Sequence, residues 1–273
     1  MKKLLIASAA ALALSATSAF AADLAPVPYY KAPPPPPPCV WCGWYVGANV
    51  GGGWGQSTGY RTAATPDFAA NIAAGVVPAT LGVRPSGVIG GGQIGYNWQS
   101  NMFVYGIEAD IQGSGIRNST TINLGTAPLS TITTGSEALD WFGTVRGRLG
   151  ITPWNSFLLY GTGGLAYGEV RDNGSIVNPT SPVTGGNFVG SSTQTRAGWT
   201  AGAGAEWMFA RNWSFKVEYL HVDLGSSNVT WRDITGNFPT SSLTYRYTNR
   251  DDIVRVGVNY HFDMGGGSMG GPY

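Results

Sequence analysis

Apolar and polar residues alternate with a period of two along eight segments of this 273-residue chain. A period of two with one apolar face is the signature of a β-strand. Each segment holds about the 9–11 residues that a tilted strand needs to cross a bilayer. The segments are Trp44–Gly55, Val88–Trp98, Met102–Gly113, Leu139–Gly150, Phe157–Val170, Arg196–Phe209, Trp213–Leu224 and Asp252–Phe262.

The connections between these segments alternate in length. Short turns at Gln99–Asn101, Thr152–Ser156 and Ala210–Asn212 separate long stretches rich in Gly, Ser, Thr, Asn and Pro. In bacterial outer-membrane barrels, short turns face the periplasm and long loops face outside. The pattern therefore predicts an all-β fold, an eight-stranded antiparallel transmembrane β-barrel with short periplasmic turns and four long extracellular loops. These loops are Gln56–Gly87, Ser114–Ala138, Arg171–Thr195 and Gly225–Asp251.

The composition favours strands in lipid over strands in water. Charged residues make up 11% of the chain, whereas a soluble protein has ~25%. Aromatic residues gather at the segment ends, as in the girdles that flank the apolar band of a membrane barrel. Aromatic strand ends in a soluble β-domain are the alternative. On the turn side the aromatic residues are Trp44, Trp98, Phe103, Trp154, Phe157, Trp207, Trp213, Tyr260 and Phe262, and on the loop side Trp54, Tyr167 and Trp199.

The first residues are typical of a secretory signal peptide. Lys2 and Lys3 precede an apolar run from Leu4 to Ala19, and Ala19-Phe20-Ala21 fits a cleavage site. We expect residues 1–21 to be removed on export. Without Lys2 and Lys3 the chain has 14 basic and 15 acidic side chains, so no excess of positive charge favours nucleic acid as a partner.

Residues 22–42 are predicted to form a proline-rich periplasmic linker. Six consecutive prolines, Pro33–Pro38, favour an extended and semi-rigid segment. The linker is either a spacer or a tether to peptidoglycan or to a periplasmic partner. The barrel is predicted to occupy residues 43–262, and a Gly-rich tail, residues 263–273, follows it.

The linker ends in a C-x-x-C pair, Cys39 and Cys42. A redox C-x-x-C uses a helix to lower the thiol pKa, but here Trp44 begins a predicted strand. The periplasm is oxidising. We therefore expect a Cys39–Cys42 disulfide where the linker meets the barrel.

Four motifs resemble, in order, the porin-like outer-membrane proteins of alphaproteobacteria, the RopB-type family. They are GWYVGANVGGGWG, LLYGTGGLAYG, WTAGAGAEWMF and RVGVNYHF. The resemblance covers roughly Gly43 to Phe262. It implies an eight-stranded barrel related to the OmpA membrane domain and located in the cell outer membrane. It also implies barrel-assembly machinery that reads a terminal aromatic strand, and the tail after Phe262 leaves open which residue is that signal.

The polar faces of the predicted strands carry charge into the barrel interior, or lumen. Buried charges must be paired or hydrated because isolated ones are costly. A salt-bridge network that plugs the lumen is one interpretation, and a narrow gated pore whose pairs exchange partners is the other. The predicted lumen network is Glu108, Asp110, Asp140, Arg146, Arg148, Glu206, Lys216, Glu218 and Arg255.

Catalytic and ligand-binding patterns are sparse. His221 lies beside Asp223 near the predicted outer rim, and such a pair with a loop Ser would mimic a hydrolase. His261 lies near the periplasmic end. Gly90–Gly95 fits G-x-G-x-x-G, but a dinucleotide motif must open a helix. We predict that the chain is not an enzyme and has no catalytic, cofactor-binding or metal-binding residues.

The predicted function is a structural, envelope-integrity role in the outer membrane, with a narrow, low-conductance pore as a possible addition. The alternatives are a general diffusion porin for small solutes and a surface adhesin or ligand receptor that acts through the long loops. The expected partners are outer-membrane lipid and lipopolysaccharide, the assembly machinery, and peptidoglycan through the linker.

Overall fold

The computed structural model describes residues 39–126, 130–178 and 186–262. The predicted signal peptide, most of the linker and the Gly-rich tail lie outside the described residues. The strands are β1 (Gly43–Gly55), β2 (Ser57–Ala64), β3 (Thr80–Val83), β4 (Ser86–Ser100), β5 (Phe103–Leu124), β6 (Thr131–Trp154), β7 (Phe157–Val177), β8 (Phe188–Ala210), β9 (Trp213–Asp233) and β10 (Ser242–His261).

All ten strands belong to one antiparallel sheet. Its order is β1-β4-β5-β6-β7-β8-β9-β10-β2-β3, and β1 also pairs with β10, which makes the sheet ring-like. Tyr45 stands opposite His261 in that closing pair, and the register runs to Gly55 opposite Asp251. Pairing on both sides of β1 leaves it without a free edge.

The connections define two ends of the ring. At the turn end, residues 101–102, 155–156 and 211–212 join neighbouring strands. At the loop end lie β2, β3 and a short helical segment between them, Pro66–Phe68 and Ala69–Ala73. No helix in the described parts of the chain is both long and apolar enough to cross a membrane.

Two predictions about the loop end were not confirmed. The sequence pattern predicted eight strands, but β2 and β3 lie inside the predicted loop Gln56–Gly87. The other three predicted loops are mostly strand, because the flanking strands extend into them. The ladder of β5 and β6, for example, continues to Leu124 opposite Thr131. Stretches of Ser, Thr, Gly and Asn have the composition of loops, yet Thr has high β-propensity and the paired backbone satisfies its own hydrogen bonds.

The ring has an apolar outside and a polar inside. Val50, Ile107 and Leu149 are 55–67% exposed, whereas Asn49, Glu108 and Arg148 beside them in sequence are buried. Because successive strand residues point to opposite faces, one alternation produces both surfaces. This inverted pattern is expected of a barrel with lipid outside.

Close approach of neighbouring atoms explains two of the four glycines in Gly90–Gly95, Gly91 and Gly95. A Cβ on Gly95 would lie 2.3 Å from the Tyr45 ring, and one on Gly91 would lie 2.0 Å from the carbonyl oxygen of Ile111. The stretch lies inside β4 and not at the start of a helix. These glycines make room for side chains and strands.

Candidate functional site

Inward-facing residues of β5, β6, β8, β9 and β10 form one buried layer of charge, which we name the ion layer. It contains eight of the nine residues of the predicted lumen network. Four are acidic and four are basic, and each is at most 5% exposed. They are Glu108, Asp110, Arg146, Arg148, Glu206, Lys216, Glu218 and Arg255.

The basic side chains of the ion layer each bridge several carboxylates. Arg146 contacts Glu108, lies 2.9 Å from an Asp110 oxygen and lies 3.1 Å from a Glu218 oxygen. Arg255 contacts the same Asp110 and Glu218 at 2.9 and 2.6 Å. Because Glu108, Asp110 and Glu218 each meet at least two cations, removing one cation would leave several anions partly unpaired.

The remaining pairs extend the ion layer toward the turn end. The Lys216 ammonium lies 3.0 Å from Glu108, and Arg148 lies 2.7 Å from Glu206. The Arg148 guanidinium also lies 4.0 Å from the centroid of the Tyr160 ring, a cation–π geometry. The layer therefore combines ion pairs with aromatic stacking.

Uncharged groups complete the ion layer, and none of them belongs to the lumen network predicted from the sequence. The Tyr45 hydroxyl donates to Glu108 at 2.7 Å and the Tyr160 hydroxyl donates to Glu218 at 2.9 Å. Ser214 and Asn259 donate to Glu206 at 2.5 and 2.6 Å. Tyr45 could have been found from its register, because it alternates with the outward Trp44 and Val46.

Asp140 does not belong to the ion layer, contrary to the prediction. The register of β6 shifts between Leu139 and Trp141, so Asp140 is the extra residue of a bulge. Its carboxylate lies 2.8 Å from Arg171, and the two side chains are 37% and 49% exposed. Beyond the bulge Leu139 faces inward, although the alternation predicted that it faces outward.

His221 and Asp223, which the sequence places near each other at the outer rim, do not pair in the structure. The Nδ1 atom of His221 lies 2.8 Å from Asp252, which also accepts a hydrogen bond from Tyr219 at 2.6 Å. Asp223 accepts instead from Arg250 at 2.9 Å. The ring of His221 lies against Trp199, which is exposed on the outer surface.

Below the ion layer, the C-x-x-C loop closes the turn end of the lumen. Cys39 and Cys42 form a disulfide with their Cα atoms 5.5 Å apart. Trp41 within this loop is fully buried and packs with Val104, Leu158 and Tyr160. Its indole nitrogen donates to the carbonyl oxygen of Asn155 at 3.0 Å. The disulfide loop thus holds an indole in the mouth of the ring.

Above the ion layer, an apolar layer separates it from a second polar layer. This apolar layer is built from Ile89, Ile116, Leu139, Phe142, Ala166, Val170, Leu220, Val222, Leu224 and Ile253. The second layer contains Glu137, Asp172 and Asp251, each at most 5% exposed, and we name it the carboxylate layer. In the described part of the chain none of the three has a cation within 4.0 Å.

The carboxylate layer lies beyond the segments predicted to cross the bilayer, and its groups retain their protons more strongly than usual. Burial, with the added negative charges of the nearby Asp172 and Asp251, raises the pKa of Glu137 to about 8. Burial together with the charge of Asp252 raises the pKa of Asp251 to about 6. Burial also raises the pKa of Asp172, whose carboxylate accepts a hydrogen bond from Ser227. Like charges in a buried site therefore favour the neutral acids.

Similarity to known proteins agrees with this architecture. Residues 7–262 match the model of the outer membrane protein beta-barrel domain family. The chain is 37% identical over 266 residues to the 31 kDa outer-membrane immunogenic protein of Brucella melitensis. This alignment covers 96% of this chain and 100% of that protein. It is 31% identical over 174 residues to the 22 kDa outer membrane protein of Rhizobium leguminosarum bv. viciae, covering 62% and 66% of the two chains.

Among solved structures, the outer membrane protein OprG of Pseudomonas aeruginosa aligns with this chain. It aligns with a TM-score of 0.46 and 12% identity over 81% of this chain and 97% of that one. The apolar outer surface, the ring-like antiparallel sheet and the family match lead to one conclusion. The chain belongs to the outer membrane protein beta-barrel domain family.

Proposed function

We propose that the chain is a closed structural barrel with an envelope-integrity role. In this proposal β1 and β4–β10 form an eight-stranded transmembrane ring, and the β2–β3 hairpin extends it at the extracellular loop end. The charge-balanced and fully buried ion layer is the observation that carries this proposal. An eight-stranded ring has an interior just wide enough for side chains to fill.

Exposed aromatic rings support the placement of the turn end at the periplasmic interface. Trp98 stacks on Tyr105 with ring centroids 5.7 Å apart, and Trp213 meets Tyr260 at 5.1 Å. Trp154 is 68% exposed at the turn itself. Such rings prefer the boundary between apolar chains and water.

A general diffusion porin is disfavoured by the contents of the lumen. Trp41, the ion layer and the apolar layer follow one another along its axis. Water and ions would have to displace all three. A narrow pore would require Arg146 or Arg148 to exchange carboxylate partners, and its conductance would be low and intermittent.

Planar-bilayer recording tests the closed barrel. We expect refolded protein to insert with no steady conductance, and Arg146→Ala to introduce brief openings because it removes a large side chain from the ion layer. Arg171→Ala is the matched control, since its guanidinium pairs with Asp140 on exposed surface. A large, steadily open conductance in the wild-type protein would refute the proposal.

The proposal also leaves the chain without catalytic activity. Two observations support this: His221 faces the outer surface beside Trp199, and its ring bonds to Asp252 instead of to a hydroxyl. Lipopolysaccharide deacylation that is lost in His221→Ala would overturn it. Lipopolysaccharide, assembly machinery and peptidoglycan remain the proposed partners.

A further inference from the structure

A small cavity of about 190 Å³ opens at the loop end, above the carboxylate layer. Its walls come from the helical segment between β2 and β3, the start of β6, the end of β7, the start of β8 and the connection between β9 and β10. An apolar cavity of about 150 Å³ accommodates a benzene-sized molecule. This cavity therefore suits a compact ligand of about six to eight heavy atoms.

Three phenyl rings line the cavity. Phe68 and Phe188 meet edge to face with centroids 4.7 Å apart, and Phe238 lies 6.5 Å from Phe188. Phe68 and Phe188 are buried, whereas Phe238 is 38% exposed at the opening. The negative faces of aromatic rings attract cations that lie within about 6 Å of the ring centroid.

A carboxylate stands at the rim of the same cavity. Asp67 precedes Phe68 in the chain and accepts a hydrogen bond from Ser241 at 2.6 Å. Within the described residues it has no basic side chain within 4.0 Å. The nearby Arg61 donates to the carbonyl oxygens of Val77 and Pro78 at 2.8 and 3.3 Å instead. The charge at the rim is therefore negative and uncompensated.

We propose that this cavity is a binding site for a small organic ammonium ion, such as a choline-like headgroup. Phe68, Phe188 and Phe238 would surround the alkylated nitrogen, and Asp67 would neutralise its charge. A neutral apolar molecule would use the rings but not the carboxylate. An anion would be repelled by Asp67.

This assignment is independent of whether the lumen conducts, because the cavity lies at the loop end and the ion layer does not contribute to it. The chemistry is shared by free choline and by the headgroup of phosphatidylcholine. Choline and vesicles of phosphatidylcholine or of phosphatidylglycerol are therefore separate arms of the test. Binding of choline alone indicates a soluble ligand, and added binding to phosphatidylcholine vesicles indicates a lipid surface.

Calorimetric titration of the refolded full-length barrel in a zwitterion-free detergent tests the site. We expect choline to bind, and its neutral isostere 3,3-dimethyl-1-butanol to bind at least about tenfold more weakly. Asp67→Asn and Phe238→Leu should each weaken choline binding by about three- to tenfold, since Leu keeps apolar bulk but lacks a π face. Phe103→Leu and Asp140→Asn change the same residue types on exposed surface elsewhere and should leave binding unchanged.

Folding of each variant is checked by the shift in electrophoretic mobility between heated and unheated barrel. Equal binding of choline and its neutral isostere would overturn the proposal and reduce the site to an apolar cavity. Choline binding that survives both Asp67→Asn and Phe238→Leu would overturn it as well. Absence of choline binding to folded wild-type protein would do the same.

Discussion

The ion layer and the carboxylate layer lie in one lumen and solve the problem of buried charge differently. Each of the four carboxylates of the ion layer meets basic side chains, as Glu108 does with Arg146 and Lys216. In the carboxylate layer, one oxygen each of Glu137, Asp172 and Asp251 has no hydrogen-bond partner. The first layer is balanced by pairing, and the second is balanced by retained protons.

This difference teaches that burial alone does not determine what a lumen acid does. Paired carboxylates remain ionised because nearby cations offset the cost of desolvation. Unpaired carboxylates avoid that cost by staying neutral, which makes their contribution to stability depend on pH. The two layers should therefore respond in opposite ways to the loss of a charged group.

The largest expected effect comes from breaking the ion layer. Arg146→Met leaves three buried carboxylates short of a cation, and we expect a loss of about 3–5 kcal/mol in the free energy of unfolding. Arg171→Met, which breaks the exposed pair with Asp140, should cost less than about 1 kcal/mol. Urea unfolding in detergent micelles measures both. Equal losses of stability in Arg146→Met and Arg171→Met would show that burial does not distinguish the ion layer from an exposed ion pair.

The next effect has the opposite sign and concerns the carboxylate layer. Since folding raises the pKa of Glu137 from 4.5 to about 8, the contribution of Glu137 to stability should fall as the pH rises through that window and level off above it. Asp251 adds a fall between its ordinary pKa of 3.8 and about 6. Glu137→Gln removes one ionisation, so we expect a gain of roughly 2–4 kcal/mol at pH 9.

The control for Glu137→Gln is the same measurement at pH 4, where the carboxyl is neutral in both states. The two proteins should then differ by less than about 1 kcal/mol. Unfolding midpoints at pH 4 and pH 9 decide the question. If the difference in stability between the wild-type protein and Glu137→Gln does not grow between pH 4 and pH 9, proton retention by Glu137 is contradicted.

A smaller effect concerns the seal beneath the ion layer. Trp41→Ala removes a fully buried indole, but the disulfide loop can detach without unfolding the sheet. We expect the free energy of unfolding to change by less than about 2 kcal/mol, which is below the loss of ~3–5 kcal/mol that replacing a core Trp by Ala causes. Hydrogen exchange at Val104 and Leu158, which contact Trp41, should nevertheless quicken. Unchanged exchange there would mean that the indole does not seal the ion layer from the turn end.

The smallest effect is expected from the disulfide itself. Replacing Cys39 and Cys42 by Ser opens a loop of four residues, and so short a loop adds little by chain entropy. Stability should change by less than about 1 kcal/mol, with the exchange at Val104 rising less than in Trp41→Ala. Thiol labelling of unfolded, non-reduced wild-type protein checks the bridge. Two reactive thiols would rule it out.

Much of the ion layer could be predicted from sequence because alternation specifies which residues share a face. Glu108, Asp110 and Gln112 are every second residue of β5 and all face inward. Arg146 and Arg148 do the same in β6. That alternation fails at Asp140, where one extra residue reverses the inward and outward positions that precede it in β6. A bulge depends on how two strands pair, so the residue pattern of one strand does not reveal it.

The loop end was predicted less well for a related reason. Thr121 and Thr134 face each other with their hydroxyl groups 3.1 Å apart in a ladder that composition alone classed as loop. A polar side chain in a strand stabilises the sheet by interacting with the side chain opposite it on the neighbouring strand. Those partners are distant in sequence, so the strands' full length was not apparent.

The sequence by itself determined the all-β class, the apolar outer face and the buried position of most of the lumen charges. These features follow from a period of two and from the cost of exposing charge to lipid, and both can be read residue by residue. Only the tertiary structure decided which charges meet, that Trp41 closes the turn end, and that Glu137, Asp172 and Asp251 share a layer without a cation. The reason is that closing the ring sets the register between strands, and register decides which inward side chains lie side by side.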